Sequence, residues 1–181
     1  MEKWAANPVI AAVQSGDAFE QALASGIDTI FLLHANIMAL GAQLDAARAA
    51  QKKVYLHVDL TDGIGKDKSG IRFIASLGAN GVISTRGNLI RFARECGLAA
   101  VQRCFIVDSH SIDTAIESIS QTRPYSIEVM PGVIPRVIAN FAARIDIPVI
   151  AGGLIDSKGD VAAALAAGAA AVSTGKQELW N

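Results

Sequence analysis

The chain has 181 residues, of which 51% are hydrophobic and 18% are charged, and its formal net charge is −1. This length and composition exclude a disordered chain and predict a single domain over residues 1–181 with a heavily buried α/β core. The near-neutral charge excludes a global electrostatic attraction to nucleic acid or to an anionic membrane, although a local charged patch stays open.

The start of the chain and its two cysteines indicate a cytoplasmic protein. Residues 1–4 do not begin a signal peptide, which would need a basic region followed by an apolar stretch. Charge or glycine interrupts every apolar run well before membrane-spanning length, so we expect no membrane association. Cys96 and Cys104 lie in apolar patterns without metal-ligand spacing, and we expect two buried free thiols.

Short apolar segments recur along the chain and alternate with helix-like stretches. We predict strands at 8–13, 29–34, 54–60, 81–85, 100–107, 126–130, 148–151 and 170–173. Many of these segments are nearly continuously apolar, as strands buried on both faces require. The alternation predicts parallel pairing through crossovers, and eight such units fill the chain. A small (β/α)8 TIM barrel is therefore favoured, with a doubly wound open sheet as the alternative.

The helix-like stretches carry their own end signals. Four of them end at a glycine that is soon followed by a β-rich run, namely Gly26, Gly78, Gly97 and Gly168. Glycine suits the left-handed residue that closes a helix. We also expect Asp17 and Ser109 as N-caps and Pro135 at a first helical position.

Two loops of small residues follow the last two predicted strands. Residues 151–155 contain adjacent glycines, and residues 173–176 read Ser-Thr-Gly-Lys. Glycine lets backbone N–H groups approach phosphate oxygens, and a following helix N-terminus would add a favourable dipole. Because the loops after strands 7 and 8 commonly build such a site in TIM barrels, we predict a barrel of the phosphate-binding type.

Polar residues follow several other strands, at the carboxyl ends that form the functional face of a barrel. They are His34, Asp59, Thr61, Asp62, Ser84, Thr85, Arg86, Asp108, Ser109 and Glu128, with Pro131 and Gly132 beside the last. Asp59 and Glu128 interrupt apolar runs, and a carboxylate there is costly to bury unless it is paired or points at a ligand. Arg103 could be their internal ion-pair partner, but its direction and that of His57 depend on strand register. Asp108 could simply cap the next helix.

The segment 61–70 is the longest of these loops and is rich in glycine and charge. It is interpreted either as a mobile loop that closes over a ligand or as an ordinary solvated loop. No strand offers a Schiff-base lysine, and the chain has no Cys–His metal spacing and no serine nucleophile elbow, so we predict no catalytic residue and no metal site. Asp59 and Glu128 could nevertheless serve as base, acid or Mg²⁺ ligands.

Six segments together resemble the glycerol-3-phosphate-responsive antiterminators. They keep their order from the first strand to the end of the chain and cover residues 57–67, 81–86, 102–109, 128–132, 151–155 and 172–180. The resemblance implies a phosphate-binding (β/α)8 barrel. It also implies a regulator that binds glycerol 3-phosphate, needs no cofactor, and acts on leader mRNA so that transcription of glycerol-uptake and glycerol-metabolism genes passes a terminator.

The resemblance also implies which residues hold the ligand. The phosphate would contact Gly152, Gly153, Ser173, Thr174, Gly175 and Lys176. The glycerol hydroxyls would face Asp59, Glu128, His34 and Arg103.

No RNA-contacting residue follows from the resemblance, so candidates come from charge alone. They are Lys66, Lys68, Arg72, Arg86, Arg91 and Arg94, which belong to neighbouring units and could form one basic rim by the ligand mouth. Solvated surface charge is the alternative for each. Because the total charge is near neutral, a ligand-ordered loop or a homodimer that doubles the patch would help to bind RNA.

Two other functions stay open at this point. One is a Mg²⁺-dependent enzyme acting on a glycerol phosphate, similar to the barrels that prenylate glycerol 1-phosphate, with Asp59 and Glu128 at the mouth. The chain looks short for housing a prenyl tail. The other is a ligand-binding protein that works through a protein partner.

Overall fold

The structure, a computed structural model, describes residue 4 and residues 7–181. Eight parallel strands close into a barrel. They are β1 (Val9–Val13), β2 (Thr29–Leu32), β3 (Lys53–His57), β4 (Gly81–Ser84), β5 (Ala99–Phe105), β6 (Ser126–Met130), β7 (Val149–Gly152) and β8 (Ala171–Thr174). Since β8 pairs with β1, the predicted TIM barrel is confirmed and the open sheet is excluded.

An α-helix follows each of the first seven strands and covers the outside of the barrel. The helices are α1 (Gly16–Ala24), α2 (Ile37–Ala49), α3 (Lys68–Ser76), α4 (Gly87–Glu95), α5 (Ser109–Thr122), α6 (Pro135–Arg144) and α7 (Lys158–Ala166). After β8 the described chain forms a short 3-10 helix, Gln177–Leu179, in place of an α-helix. A second 3-10 helix, Val58–Leu60, follows β3, so the strand predicted at 54–60 ends earlier than expected.

Helix ends follow the sequence signals with local shifts. Gly78, Gly97 and Gly168 have φ of +81°, +76° and +101°, which confirms the predicted left-handed closure at three of the four glycines. Pro135 opens α6 as expected. The N-caps predicted at Asp17 and Ser109 are wrong, because the side chains of Ser15 and Asp108 accept the hydrogen bonds from the first turns of α1 and α5.

The interior of the barrel changes from apolar to polar along its axis. Near the amino ends of the strands it is filled by one packed cluster of Trp4, Ile10, Phe31, Tyr55, Ile83, Val101, Ile150 and Ala171. Side chains two residues apart in a strand share a face, so the next inward positions belong to His57, Arg103 and Ser173. The polar end of the interior therefore lies at the carboxyl ends of the strands, which we call the mouth.

The structure also bears on the expectations for the cysteines and for membrane association. Cys96 and Cys104 are free thiols as expected, but only Cys104 is buried, whereas Cys96 is half-buried. Burial raises the pKa of Cys104 to about 12. Among the described residues, no helix is both long and apolar enough to cross a membrane.

Candidate functional site

A cavity of about 330 Å³ opens at the mouth. The ends of β1, β2, β5, β6, β7 and β8 enclose it, through Ala12, Gln14, Leu33, Arg103, Glu128, Met130, Gly153, Leu154, Ile155, Asp156, Ser173, Thr174, Gly175 and Lys176. This volume is at the lower end of the range for ligand sites, roughly 300–1,000 Å³. The cavity therefore suits a small ligand better than one with a long chain.

A buried ion pair forms the floor of this cavity. Arg103 Nε donates to Glu128 Oε2 at 2.6 Å, and the two side chains are only 7% and 1% exposed. Ser173 Oγ donates to the other carboxylate oxygen, Glu128 Oε1, at 2.6 Å. The internal pairing of Arg103 with a carboxylate is thus confirmed. Within the described chain the terminal amino groups of Arg103 have no protein acceptor, so they are available to a ligand in the cavity.

Gly152 makes room for this pair. A Cβ atom at Gly152 would lie 2.7 Å from Ser173 Oγ and still closer to Glu128 Oε1. Gly132 closes the other side, because its N–H donates to Gly152 O at 2.6 Å and to Gly153 O at 3.1 Å. The first glycine of the predicted cradle thus serves to accommodate Glu128.

The loop after β7 turns its next amide groups toward the cavity. Gly153 and Leu154 both have left-handed backbones, with φ of +76° and +61°. That conformation is strained for leucine, and such strain concentrates at functional sites. In the part of the chain that the structure describes, the N–H groups of Gly153 and Leu154 have no protein acceptor. They are free to bind an anion, as predicted for this loop.

The loop after β8 supplies the opposite wall. The Thr174 hydroxyl donates to Ile155 O at 2.7 Å and accepts from Lys176 N at 3.0 Å, so it joins the two loops instead of remaining free for a ligand. Gly175 N–H has no acceptor among the described residues. Lys176 Nζ lies 3.7 Å from Asp156 Oδ1 and remains half-exposed at the cavity.

Helix dipoles contribute less to this site than the sequence suggested. The first turn of α7 is closed by its own capping box, in which the N–H groups of Asp156 and Ser157 donate to Asp160 Oδ2 at 3.2 and 2.9 Å. The carboxylate of Asp160 therefore occupies the position where a phosphate would meet the helix. Loop N–H groups, Arg103 and Lys176 remain as the anion-binding groups of the cavity.

Asp59 lies outside this cavity and organises a neighbouring part of the mouth. It accepts hydrogen bonds from Ser84 Oγ at 2.9 Å, Thr85 N at 2.8 Å and Thr85 Oγ1 at 3.0 Å. Burial opposes ionisation of Asp59, but these hydrogen bonds outweigh it and lower the pKa of the carboxyl group. Asp59 is thus a fixed anion that holds the start of α4.

His57 is a buried polar group near the mouth that has no hydrogen-bond partner among the described residues. Both ring nitrogens are buried and have no hydrogen-bond partner in the described structure. Burial, and secondarily the charge of Arg103, lower the pKa of His57 from 6.5 to about 4, so its imidazole is neutral at physiological pH. Nε2 lies 3.9 Å from Asp59 Oδ2. His34, by contrast, is exposed after β2, and neither histidine lines the cavity.

The six cations predicted to contact RNA do not form the single basic rim that the sequence suggested. Arg86 Nε lies 3.6 Å from Asp59 at the mouth, and Lys66 Nζ donates to Thr61 O in the long loop. Arg94 Nη1 instead donates to Thr122 O at 2.9 Å, at the carboxyl end of α5. Arg86 and Arg94 lie at opposite ends of α4, so they cannot share one rim. Lys68, Arg72 and Arg91 lie on the outer face of α3 and α4.

The sequence did not predict five of the cavity residues, namely Ala12, Gln14, Leu33, Met130 and Asp156. Gln14 directly follows β1, and Leu33 follows β2, so both occupy carboxyl-end positions that the strand prediction could have revealed. Met130 ends β6 and reads as an ordinary apolar residue. Asp108 does not line the cavity. It caps α5 and forms a capping box with Ser111, which is the structural alternative that the sequence left open for it.

Several known proteins resemble this chain over nearly its whole length. A glycerol uptake operon antiterminator regulatory protein from Listeria monocytogenes superposes with a TM-score of 0.92 at 35% identity, covering 96% of this chain and 95% of the other. A glycerol uptake operon antiterminator-related protein from Thermotoga maritima gives a TM-score of 0.85 at 29% identity, with 95% and 96% coverage. YgcP, described as an uncharacterized protein of Escherichia coli K12, is 34% identical over 176 residues, which are 97% of this chain and 92% of YgcP.

More distant structures share the fold alone. They include aldolases at 12% and 14% identity with TM-scores of 0.76 and 0.72. The family described as glycerol-3-phosphate responsive antiterminator matches residues 9–180. This match, the relatives at 34% and 35% identity and the shared barrel show that the chain belongs to the glycerol-3-phosphate responsive antiterminator family.

Proposed function

We propose that the protein senses glycerol 3-phosphate and, when loaded, binds leader mRNA so that transcription of glycerol-uptake and glycerol-metabolism genes passes a terminator. The main support is that this member of the antiterminator family has a small cavity at its mouth. In that cavity, free loop N–H groups and Lys176 lie across from the buried pair of Arg103 and Glu128. Acting on nascent mRNA, the protein would work in the cytoplasm.

The ligand would lie across the cavity with its two ends in different surroundings. The phosphate would accept hydrogen bonds from the N–H groups of Gly153, Leu154 and Gly175 and pair with Lys176. The hydroxyls would reach the free amino groups of Arg103 and the carboxylate of Glu128. Asp59 and His34 would contribute to glycerol recognition only if the mouth closes further, since neither lines the cavity in this structure.

Filter binding to a glycerol-uptake leader RNA tests the proposal directly. We expect glycerol 3-phosphate to tighten RNA binding, and RNA to tighten ligand binding by the same factor, because coupling between two sites is reciprocal. RNA affinity that does not change with added ligand would rule out this mechanism. Glycerol and inorganic phosphate serve as control ligands, since each presents only one end of the effector.

The phosphate end of the cavity gives a sharper test through two opposite charge changes. Lys176→Ala removes the half-exposed cation of the cavity. We expect glycerol 3-phosphate to bind about tenfold more weakly, which is a loss of about 1.4 kcal/mol in binding free energy. Asp156→Asn removes an anion that lies 3.7 Å from Lys176 Nζ, so we expect tighter binding. Isothermal titration calorimetry measures both, and equal effects of the two substitutions would contradict this arrangement.

A second candidate function is a Mg²⁺-dependent, prenyltransferase-like reaction on a glycerol phosphate. It is favoured by large apolar side chains that are exposed at the ends of strands or in the segments that follow them, namely Met38, Leu60, Phe105, Val107 and Leu154. Turnover of a polyprenyl diphosphate with glycerol phosphate and Mg²⁺ would support it. No turnover across a panel of phosphorylated substrates would count against it.

A further inference from the structure

Charge is distributed unevenly among the outer helices. The segments of α3 and α4 contain four cations, Lys68, Arg72, Arg91 and Arg94, and one acid, Glu95. The segments of α1 and α5 contain two acids each and no lysine or arginine. The net charge of −1 thus conceals a local excess of three positive charges on α3 and α4, while α6 carries two arginines and no acid.

Three of these cations gather around one carboxylate. Lys68 Nζ lies 2.5 Å from Glu95 Oε2 and 5.8 Å from the centre of the Phe92 ring. The hydrogen bond and charge of Lys68 lower the pKa of Glu95, and the nearby guanidinium groups of Arg72 and Arg91 lower it further. One carboxylate cannot neutralise three cations, so this exposed patch keeps a positive charge.

We propose that Lys68, Arg72 and Arg91, the α3–α4 patch, contact the phosphate backbone of the RNA. This inference rests on the proposed function, because it names the surface that the RNA uses. A polyanion is the complementary partner for three exposed cations. Phe73, the next residue after Arg72 on α3, is 38% exposed. An exposed aromatic ring on a helix that also carries cations suits single-stranded RNA, whose bases stack on such rings.

The patch is linked to the mouth through the segments that begin its two helices. Thr85, which donates to Asp59 through both its N–H and its hydroxyl, lies two residues before α4. The loop that follows Asp59 runs into α3, whose N-cap is Asp67. Closure of the mouth over the ligand that moves Asp59 would therefore shift both helices that carry the patch, which gives the RNA and the ligand a physical route for coupling.

Salt-dependent RNA binding by charge variants tests the patch. Fluorescence anisotropy would follow a labelled glycerol-uptake leader RNA with protein saturated by glycerol 3-phosphate, at several KCl concentrations. A plot of log K against log salt has a negative slope, to which each single-stranded phosphate contact contributes roughly −0.7. For Lys68→Ala/Arg72→Ala/Arg91→Ala we expect the magnitude of this slope to decrease by about 2. Glu95→Gln should tighten RNA binding, because it removes the one acid of the patch.

A matched variant controls for net charge. Arg136→Ala/Arg144→Ala/Lys158→Ala removes three exposed cations from α6 and α7, and we expect its salt slope to stay that of the wild type. Equal decreases of the slope in both triple variants, or an unchanged slope in the α3–α4 variant, would show that the α3–α4 patch does not contact the RNA. Either result would leave the proposed function standing. Absence of ligand-dependent RNA binding by the wild type would overturn the proposed function and the patch with it. Calorimetry with glycerol 3-phosphate should give wild-type affinity for every variant, which shows that each one is folded.

Discussion

Gly152 lies against the buried ion pair, and it can do so because it has no side chain. Its position leaves no space for a Cβ atom, because Glu128 and Ser173 are both buried and held by hydrogen bonds. We predict that Gly152→Ala destabilises the protein by about 1–3 kcal/mol, as overpacking of a core does. Urea unfolding would measure this change.

Gly41 provides the matched control for that substitution. It lies inside α2, and a Cβ atom there would meet nothing within 4 Å. Gly41→Ala should therefore stabilise the protein by about 0.5–1 kcal/mol, since alanine is the better helix former. If both substitutions changed stability in the same direction, the steric explanation of Gly152 would be wrong.

His57 makes stability depend on pH in the acidic range. Because its pKa is 6.5 when unfolded and about 4 when folded, the unfolded chain binds more protons between these values. The folded state is therefore most stable with respect to His57 above pH 6.5, and this stability is lost as pH falls toward 4. We predict that the protonation of His57 in the unfolded chain lowers the free energy of unfolding by about 2 kcal/mol at pH 5 relative to pH 7.

Substitution of His57 distinguishes its effect on the pH dependence of stability from the effect of the carboxylates. His57→Gln should flatten the stability profile between pH 5 and pH 7, as measured by urea unfolding at each pH. His34→Gln changes an exposed histidine on the same face, and its profile should match that of the wild type. A wild-type profile in the His57 variant would show that its imidazole is not held neutral.

At the scale of elements, neither of the last two strand-to-helix units offers the cavity a free helix N-terminus. The unit after β8 has only a short 3-10 helix, and α7 satisfies its own first turn through Ser157 and Asp160. The loops and not the helix ends therefore present free N–H groups at the cavity. We therefore expect changes in the stability of α7 to have little effect on ligand binding.

Ser157→Ala tests this expectation. Ser157 Oγ accepts from Asp160 N at 3.1 Å and donates to Asp160 Oδ2 at 2.7 Å, so its loss should cost about 1 kcal/mol of unfolding free energy. We expect the affinity for glycerol 3-phosphate to change less than twofold in calorimetry. Ser120→Ala, within α5, is the control and should leave both quantities nearly unchanged.

At the scale of the whole molecule, the eight strands close into one barrel, and a ligand at the mouth is held by residues from several of them. A ligand that binds only the folded state stabilises it by about 2.7 kcal/mol at a concentration of 100 Kd. For a domain of 181 residues this predicts a rise in Tm of about 5–10 °C with glycerol 3-phosphate. Differential scanning fluorimetry measures the shift. Glycerol 1-phosphate, tested beside it, reports which enantiomer the cavity prefers, and no shift with either would contradict the ligand assignment.

The sequence by itself determined the architecture and much of the mouth. Alternation of apolar strands and helical stretches has one period throughout the chain, and this local pattern is enough to specify eight parallel strands. The two loops of small residues were located from their position after the last two strands, and both line the cavity. The family resemblance rested on ordered motifs and is confirmed over residues 9–180.

Only the tertiary structure decided which polar residues meet. The direction of Arg103 depends on barrel register, which the pairing of Arg103 with Glu128 across neighbouring strands settles. Neither the capture of the Thr174 hydroxyl by Ile155 O nor the hydrogen bond from Arg94 to Thr122 O could be read from local pattern. The physical reason is that hydrogen bonds and ion pairs form between segments far apart in sequence, whereas periodicity and turn chemistry report only on neighbours.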